Sequence, residues 1–160
     1  MKIIQWNMRG YYSHLPFLQH MLTAINPDIL CLQETNLSPK KDPRLNGFNY
    51  PLNRFDRTDR KGGGVIIAVR NHLPFVPFQL TTSLEATAVK LLSPSPITIC
   101  CAYLPPDLPH ADLTTGLQSL IHSLPRPFLL LCDANAHHST WGSPRNNKRG
   151  KFINELITDL

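Results

Sequence analysis

Phe128-Leu-Leu-Leu-Cys-Asp-Ala-Asn-Ala-His-His-Ser-Thr-Trp-Gly142 is the stretch on which the reading of this chain turns. Residues 128–132 form an uninterrupted apolar run, entered through Pro127 and left into polar residues, and they read as a short buried strand. Asp133 and Asn135 follow two residues apart, a spacing that puts both side chains on one face of an extended chain. A carboxylate beside a carboxamide at the mouth of a buried strand costs desolvation energy unless something is bound there. The same pair also serves as a solvated Asx turn closing the strand. The stretch alone leaves both readings open.

Upstream of it, Leu113, Leu117, Leu120, Ile121 and Leu124 give one face of a helix, with Asp112 as its cap and Pro125 as its stop. Residues 85–92 and 97–103 read as two strands joined through Ser93-Pro94-Ser95-Pro96, hence an antiparallel hairpin. Residues 65–69 are a further strand, entered through Gly62 to Gly64. That glycine run lacks the Gly-Lys-Ser/Thr ending of a phosphate loop and precedes a strand, so tight-turn geometry accounts for it better. Before it come a polar loop over 36–49 with Lys40, Lys41 and Arg44, a short strand near 50–55, and a basic loop with Arg57, Arg60 and Lys61.

At the front of the chain, residues 2–8 read as a strand. Leu15, Leu18, Leu22 and Ile25 then mark a helix face, with Ser13 as cap and Pro16 in the first turn. Asn26-Pro27-Asp28 stops that helix, and 29–32 start a strand that ends in Gln33-Glu34-Thr35. Strand, helix and strand within about 35 residues make a βαβ unit with parallel strands, whose ends share one edge. Downstream of the opening stretch, a polar loop over 143–149 leads to Phe152, Ile153, Leu156, Ile157 and Leu160, a third amphipathic helix. The alternation, with its antiparallel middle, predicts an α/β fold, a mixed-sheet sandwich.

The totals agree with one domain. At 160 residues the chain holds one core and is short for two. Fifteen prolines favour strands joined by stiff loops over a helical bundle. A net charge of +5 suits a polyanionic partner without proving one. Cys31, Cys100, Cys101 and Cys132 all lie in apolar runs, with no Cys-x-x-Cys pair, and read as reduced core residues of an intracellular protein. Met1 is followed at once by strand-like sequence with no secretory leader, and no apolar run approaches the roughly 20 residues of a membrane-spanning helix.

Three strands thus end in polar residues: Asn7 on the first, Glu34 on the second, Asp133 with Asn135 on the last. Two carboxylates and two carboxamides are hard oxygen ligands, suited to Mg²⁺ held by one or two carboxylates with water and a substrate phosphate. Such an ion polarises a phosphoryl oxygen and assists a carboxylate-activated water. Each residue has a plainer reading, Glu34 as an exposed strand end and Asn7 as a turn former; their convergence at three strand ends favours the functional one.

Trp6-Asn7, Pro27-Asp28-Ile-Leu-Cys-Leu-Gln33-Glu34-Thr35, Gly63-Gly64-Val65, Ala102-Tyr103-Leu-Pro-Pro106 and Asp133-Ala-Asn135 together resemble the endonuclease/exonuclease/phosphatase superfamily. Within it, Asp133-Ala-Asn135-Ala-His137-His138-x-x-Trp141-Gly142 resembles the endonuclease domain of non-LTR retrotransposons, over residues 2–160. The resemblance implies a Mg²⁺ (or Mn²⁺) ion at Glu34 with Asn7 beside it. It implies Asp133 orienting or deprotonating the attacking water, Asn135 positioning the scissile phosphate, and Tyr103 touching phosphate. DNA is the implied substrate, acted on in the nucleus. Arg57, Arg60, Lys61, Arg145, Lys148 and Arg149, all expected in loops, are its implied contacts, with His137 and Trp141 beside them. A reverse transcriptase in the same polyprotein is the implied partner, with no small-molecule cofactor and no membrane. A zinc site at His137 and His138 is disfavoured, because adjacent side chains on an extended segment diverge.

Complete members of that superfamily continue with further strands, a later aspartate and a terminal Ser-Asp-His. None of these lies in the 160 residues, and the last helix has no stop signal. The resemblance therefore implies a domain truncated at its C-terminal end, which by itself is expected to be poorly stable and unable to cleave DNA. Abasic-site repair endonucleases and phosphoinositide phosphatases are rivals within the superfamily. From a different class, the rival is a non-catalytic remnant.

Overall fold

The central strands alternate apolar side chains between two faces, and both of those faces are buried. The computed structural model describes residues 1–43, 45 and 47–160; Arg44, named above in the polar loop, lies outside them. Among the described residues the strands are β1 (Ile3–Asn7), β2 (Ile29–Gln33), β3 (Leu52–Phe55), β4 (Val65–Val69), β5 (Phe75–Phe78), β6 (Glu85–Leu91), β7 (Ile97–Tyr103) and β8 (Phe128–Asp133). The helices are α1 (Tyr11–Ile25), α2 (His110–Ser123) and α3 (Lys148–Thr158), with a 3₁₀ turn at Ser139–Trp141. One sheet runs β1-β2-β4-β3 and the other β5-β6-β7-β8. β1 and β2 are parallel, as are β7 and β8, and the remaining pairs are antiparallel.

The period of two sorts the core into three clusters. Ile29, Cys31, Val65, Ile67, Val69, Val89, Ile99, Cys101 and Tyr103 fill the space between the sheets. Leu30, Leu32, Ile66 and Ala68, the alternate residues, meet Leu18 and Leu22 of α1. Ala86, Ala88, Cys100 and Ala102 meet Leu113, Leu117 and Leu120 of α2. The result is a four-layer helix–sheet–sheet–helix sandwich, the fold class expected. No helix among the described residues is long and apolar enough to cross a membrane.

Four local expectations change. α1 starts at Tyr11, ahead of Ser13, because Gly10 and Tyr11 give their N–H groups to the carbonyls of Glu34 and Thr35 at 2.8 Å each. Tertiary bonds to the exit of β2 thus do the work a side-chain cap would have done. α2 begins at His110, so Asp112 lies within its first turn as a favourable charge, not at the cap. β5 was invisible because it is four residues long and contains Pro77, which an edge strand tolerates. Among the described residues β8 pairs only with β7, and its residues are half-buried or exposed, so it is an edge strand and not the buried one its sequence predicts.

Candidate active site

Chain parity and pairing register bring three strand ends to one place. Asn7 lies opposite Gln33 in the β1–β2 ladder, and Asp133 opposite Tyr103 in the β7–β8 ladder. Asp133 therefore comes from the second sheet, facing Asn7 and Glu34 across the sandwich, not from a neighbouring strand of the same sheet. Asn7 joins them: its Nδ2 donates to Glu34 Oε1 at 2.6 Å and to Asp133 Oδ2 at 2.5 Å. Glu34 and Asn135 both have left-handed backbone, φ 50° and 48°. Non-glycine residues hold that conformation at a cost of order 1–3 kcal/mol, and such strain gathers at functional positions.

Tyr103 feels both carboxylates, with its hydroxyl interacting with Glu34. Burial, then the charge of Glu34 and that interaction, then Asp133, push its pKa up to about 12, with Arg57 pulling the other way. Arg57, implied above to contact DNA, lies inside this layer. Its guanidinium sits 5.9 Å from the Tyr103 ring centre and pairs with Glu85, the bond from Nε measuring 2.9 Å. Glu85 Oε2 also accepts from the Gly64 N–H at 2.7 Å. Gly62, Gly63 and Gly64 all have positive φ, and a Cβ on Gly63 would land on the Glu85 carboxylate and the Arg57 guanidinium. The glycine run is thus a tight turn made to admit an ion pair, and Glu85 is a site-supporting residue that sequence reading missed.

The exit of β8 is held differently. Asn135 sits exposed at the rim, its Nδ2 donating to the Leu104 carbonyl at 3.1 Å. Arg149 is not in a loop, and it is half-buried. It lies in the first turn of α3, and its guanidinium donates to five main-chain carbonyls: Leu104, Pro105, Pro106, Leu108 and Ala134. Burial lowers its pKa, the cost of a desolvated cation that the carbonyl dipoles offset.

The remaining sequence-predicted residues lie around this centre. Lys148 is also helical, as the first residue of α3, and is exposed; Arg145 is exposed in the loop before it. Arg60 is exposed and tied to Asp107, and Lys61 is exposed beside it. His137 is exposed, while His138 caps the 3₁₀ turn by accepting from the Thr140 N–H at 3.2 Å. Trp141 is 40% exposed and donates from Nε1 to the Ala136 carbonyl. Tyr12 and Lys41 share a groove with Lys61, the ammonium 6.0 Å from the tyrosine ring. Sequence reading had placed Lys41 in a loop, but nothing local pairs it with Tyr12.

The donor set fits a hard divalent cation. Two carboxylates converge on one partially positive amide nitrogen, where a small cation with oxygen ligands is suited. The nearby Cys132 offers no thiolate, because burial and the Asp133 charge push its pKa up to about 12. Glu34 and Asp133 are the anionic oxygens available. Asn7 joins them as a ligand only with its Oδ1, which now accepts from the Arg9 N–H at 3.2 Å, turned inward.

The model of the endonuclease/exonuclease/phosphatase family matches residues 4–157. A probable RNA-directed DNA polymerase from transposon X-element of Drosophila melanogaster is 29% identical over 160 residues, 98% of this chain and 17% of that protein. The chain thus spans about a sixth of the length of such curated relatives. A DNA-(apurinic or apyrimidinic site) endonuclease of Dictyostelium discoideum is 41% identical over 71 residues, covering 41% of this chain and 19% of that one. Among solved structures, the endonuclease domain of TRAS1, a telomere-specific non-LTR retrotransposon, superposes with a TM-score of 0.77 at 21% identity. It covers 99% of this chain and 71% of its own.

Proposed function

The chain belongs to the endonuclease/exonuclease/phosphatase family, and on that premise we propose that it is the metal-dependent DNA endonuclease domain of a non-LTR retroelement. In this reading it nicks target DNA in the nucleus for a reverse transcriptase carried in the same polypeptide. The observation that carries it is the Asn7 amide held between Glu34 and Asp133 from opposite sheets. The transposon relative, matched along nearly the whole chain, supports the retroelement over other members.

Glu34 with Asn7 would hold Mg²⁺ or Mn²⁺, which supplies Lewis-acid polarisation of a phosphoryl oxygen. Asp133 takes the proton of the attacking water, within reach of the same crevice. Tyr103 keeps its proton at any physiological pH, because its pKa is pushed up to about 12, and so donates to a phosphate oxygen. Asn135, at the rim, positions the scissile phosphate. Lys41, Lys61, Arg145 and Lys148 meet the flanking backbone by charge.

The test is nicking of supercoiled plasmid in Mg²⁺ by two proteins. One is the 160-residue chain, and the other is the same chain joined to the part of the TRAS1 domain that it does not cover. The joined protein is expected to nick in a metal-dependent way that falls roughly 10²–10⁴-fold in Glu34→Ala or Asp133→Ala, and the 160-residue chain is expected not to cleave. An undiminished rate in either variant overturns the assignment. The local match to the abasic-site endonuclease favours a second reading, damage-directed cleavage, which predicts strong preference for an abasic duplex over intact plasmid. No cleavage by either protein would support a non-catalytic remnant.

A further inference from the structure

We infer that Arg149 is a positioning residue that holds the Asp133–Asn135 turn in register with Glu34. The inference rests on the reading above, in which Glu34 and Asn7 hold a divalent metal that the Asp133 carboxylate faces.

Among the described residues β8 ends at Asp133 with a strand neighbour on one side only, so ladder hydrogen bonding fixes one flank of its exit. On that flank, the Leu104 N–H donates to the Asp133 carbonyl at 2.9 Å. The next carbonyl, that of Ala134, lies between the two site residues and accepts from Arg149 Nη1 at 3.2 Å. The same nitrogen reaches the carbonyls of Leu104 at 3.2 Å and Pro105 at 2.9 Å, and Nη2 reaches that of Leu108 at 3.0 Å. One planar group therefore ties the segment after β7 to the turn that carries Asp133 and Asn135. Leu104 is the shared point, because its carbonyl also accepts from the Asn135 amide.

Arg149 is itself held. The Asn147 N–H donates to the His137 carbonyl at 2.9 Å, and Asn147 Oδ1 accepts from the N–H groups of His137 at 3.2 Å and Gly150 at 2.7 Å. Gly150 packs so closely on the His137 carbonyl that a Cβ there would overlap it. The start of α3 is thus locked to the segment leaving β8, with the guanidinium turned back under the site. A lysine keeps the charge but offers one compact ammonium in place of a planar fork, and cannot reach five carbonyls. Moving the Asp133 carboxylate away from Asn7 would remove one of two anions facing the metal position, so affinity for a divalent cation reads the displacement.

The experiment compares wild type, Arg149→Lys, Arg149→Gln and Lys151→Ala, the last an exposed charge on the same helix. Amide hydrogen exchange is followed by NMR, and Mn²⁺ affinity is measured at a temperature where all four are folded. In both Arg149 variants the amides of Leu104 and Asn135 are expected to exchange at least tenfold faster, those of Val89 and Ile99 within twofold of wild type. Mn²⁺ affinity should fall at least fivefold, and Lys151→Ala should change neither. Unchanged exchange, a uniform rise across both sheets, or full Mn²⁺ affinity with a loosened Asn135 overturns the inference. If Glu34→Ala binds Mn²⁺ as wild type does, the metal reading fails instead, and the exchange pattern alone decides the role of Arg149.

Discussion

The two carboxylates of the site stand at the ends of strands that the fold treats unequally. The exit of β2 is gripped from both sides. Met8, Gly10 and Tyr11 donate to the carbonyls of Gln33, Glu34 and Thr35, while Thr35 and Asn36 donate to those of Gly64 and Gly63. Among the described residues the exit of β8 has a ladder neighbour on one side, and the turn beyond it is held by side chains: Arg149 on the Ala134 carbonyl, the Asn135 amide on the Leu104 carbonyl, and Asn147 on His137. Both strands are apolar runs ending in an acidic residue, and from sequence they look alike. What separates them is strand order. A site assembled across two sheets is only as well placed as its less supported half.

The largest effect is expected at Arg57 and Glu85, the pair behind the firmly held end. Both side chains are about nine-tenths buried, 9% and 12% exposed. Removing one partner of such a pair leaves a buried charge, at about 3–5 kcal/mol. Arg57→Met should lower the thermal midpoint by several degrees and leave the salt dependence of DNA binding untouched. An unchanged midpoint with a shallower salt slope would return Arg57 to the DNA-contacting group.

Strand position sets the next effect. Leu30 in β2 is fully buried, and Leu129 in β8 is 41% exposed. Leu30→Ala should cost about 2–5 kcal/mol in denaturant unfolding. Leu129→Ala should cost well under half of that, since little area returns to water. Equal costs would mean that β8 is covered as well as β2 is.

A smaller effect belongs to the exposed cations. Lys61→Ala and Lys148→Ala should each reduce the slope of log affinity against log salt by about 0.9, one phosphate contact apiece. A slope that stays the same removes them from the interface. Smallest is the alkaline limb. Tyr103 has a folded pKa pushed up to about 12 against 10.0 for the free side chain, so its contribution is complete below pH 10 and lost as pH rises toward 12. Tyr11, pushed up to about 12 chiefly by burial, shares that limb. Tyr103→Phe should flatten part of the stability loss between pH 10 and 12, and an identical profile would place Tyr103 outside the site's hydrogen bonding.

Much of this was legible in the chain itself. The β1-α1-β2 unit and the β6–β7 hairpin follow from local periodicity and turn chemistry, and so do the Gly62–Gly64 turn and the inward face of α2. That Asn7, Glu34 and Asp133 close their strands was legible too, because a polar residue after an apolar run is a local signal. What was hidden is non-local. Pairing order made β8 an edge and put Asp133 in the other sheet from Glu34. Arg57 and Arg149 look like surface cations in sequence, and only the chain's long-range return puts a carboxylate beside one and five carbonyls around the other.

Whether two unequal strand ends make one cation site is decided by Mn²⁺ titration watched by NMR. The account predicts that resonances of Asn7, Glu34 and Thr35 on one sheet and of Tyr103, Asp133 and Asn135 on the other broaden together at the same Mn²⁺ concentration. It predicts also that neither group broadens there in Glu34→Ala. Broadening confined to one sheet end, or persisting at both in Glu34→Ala, would contradict it.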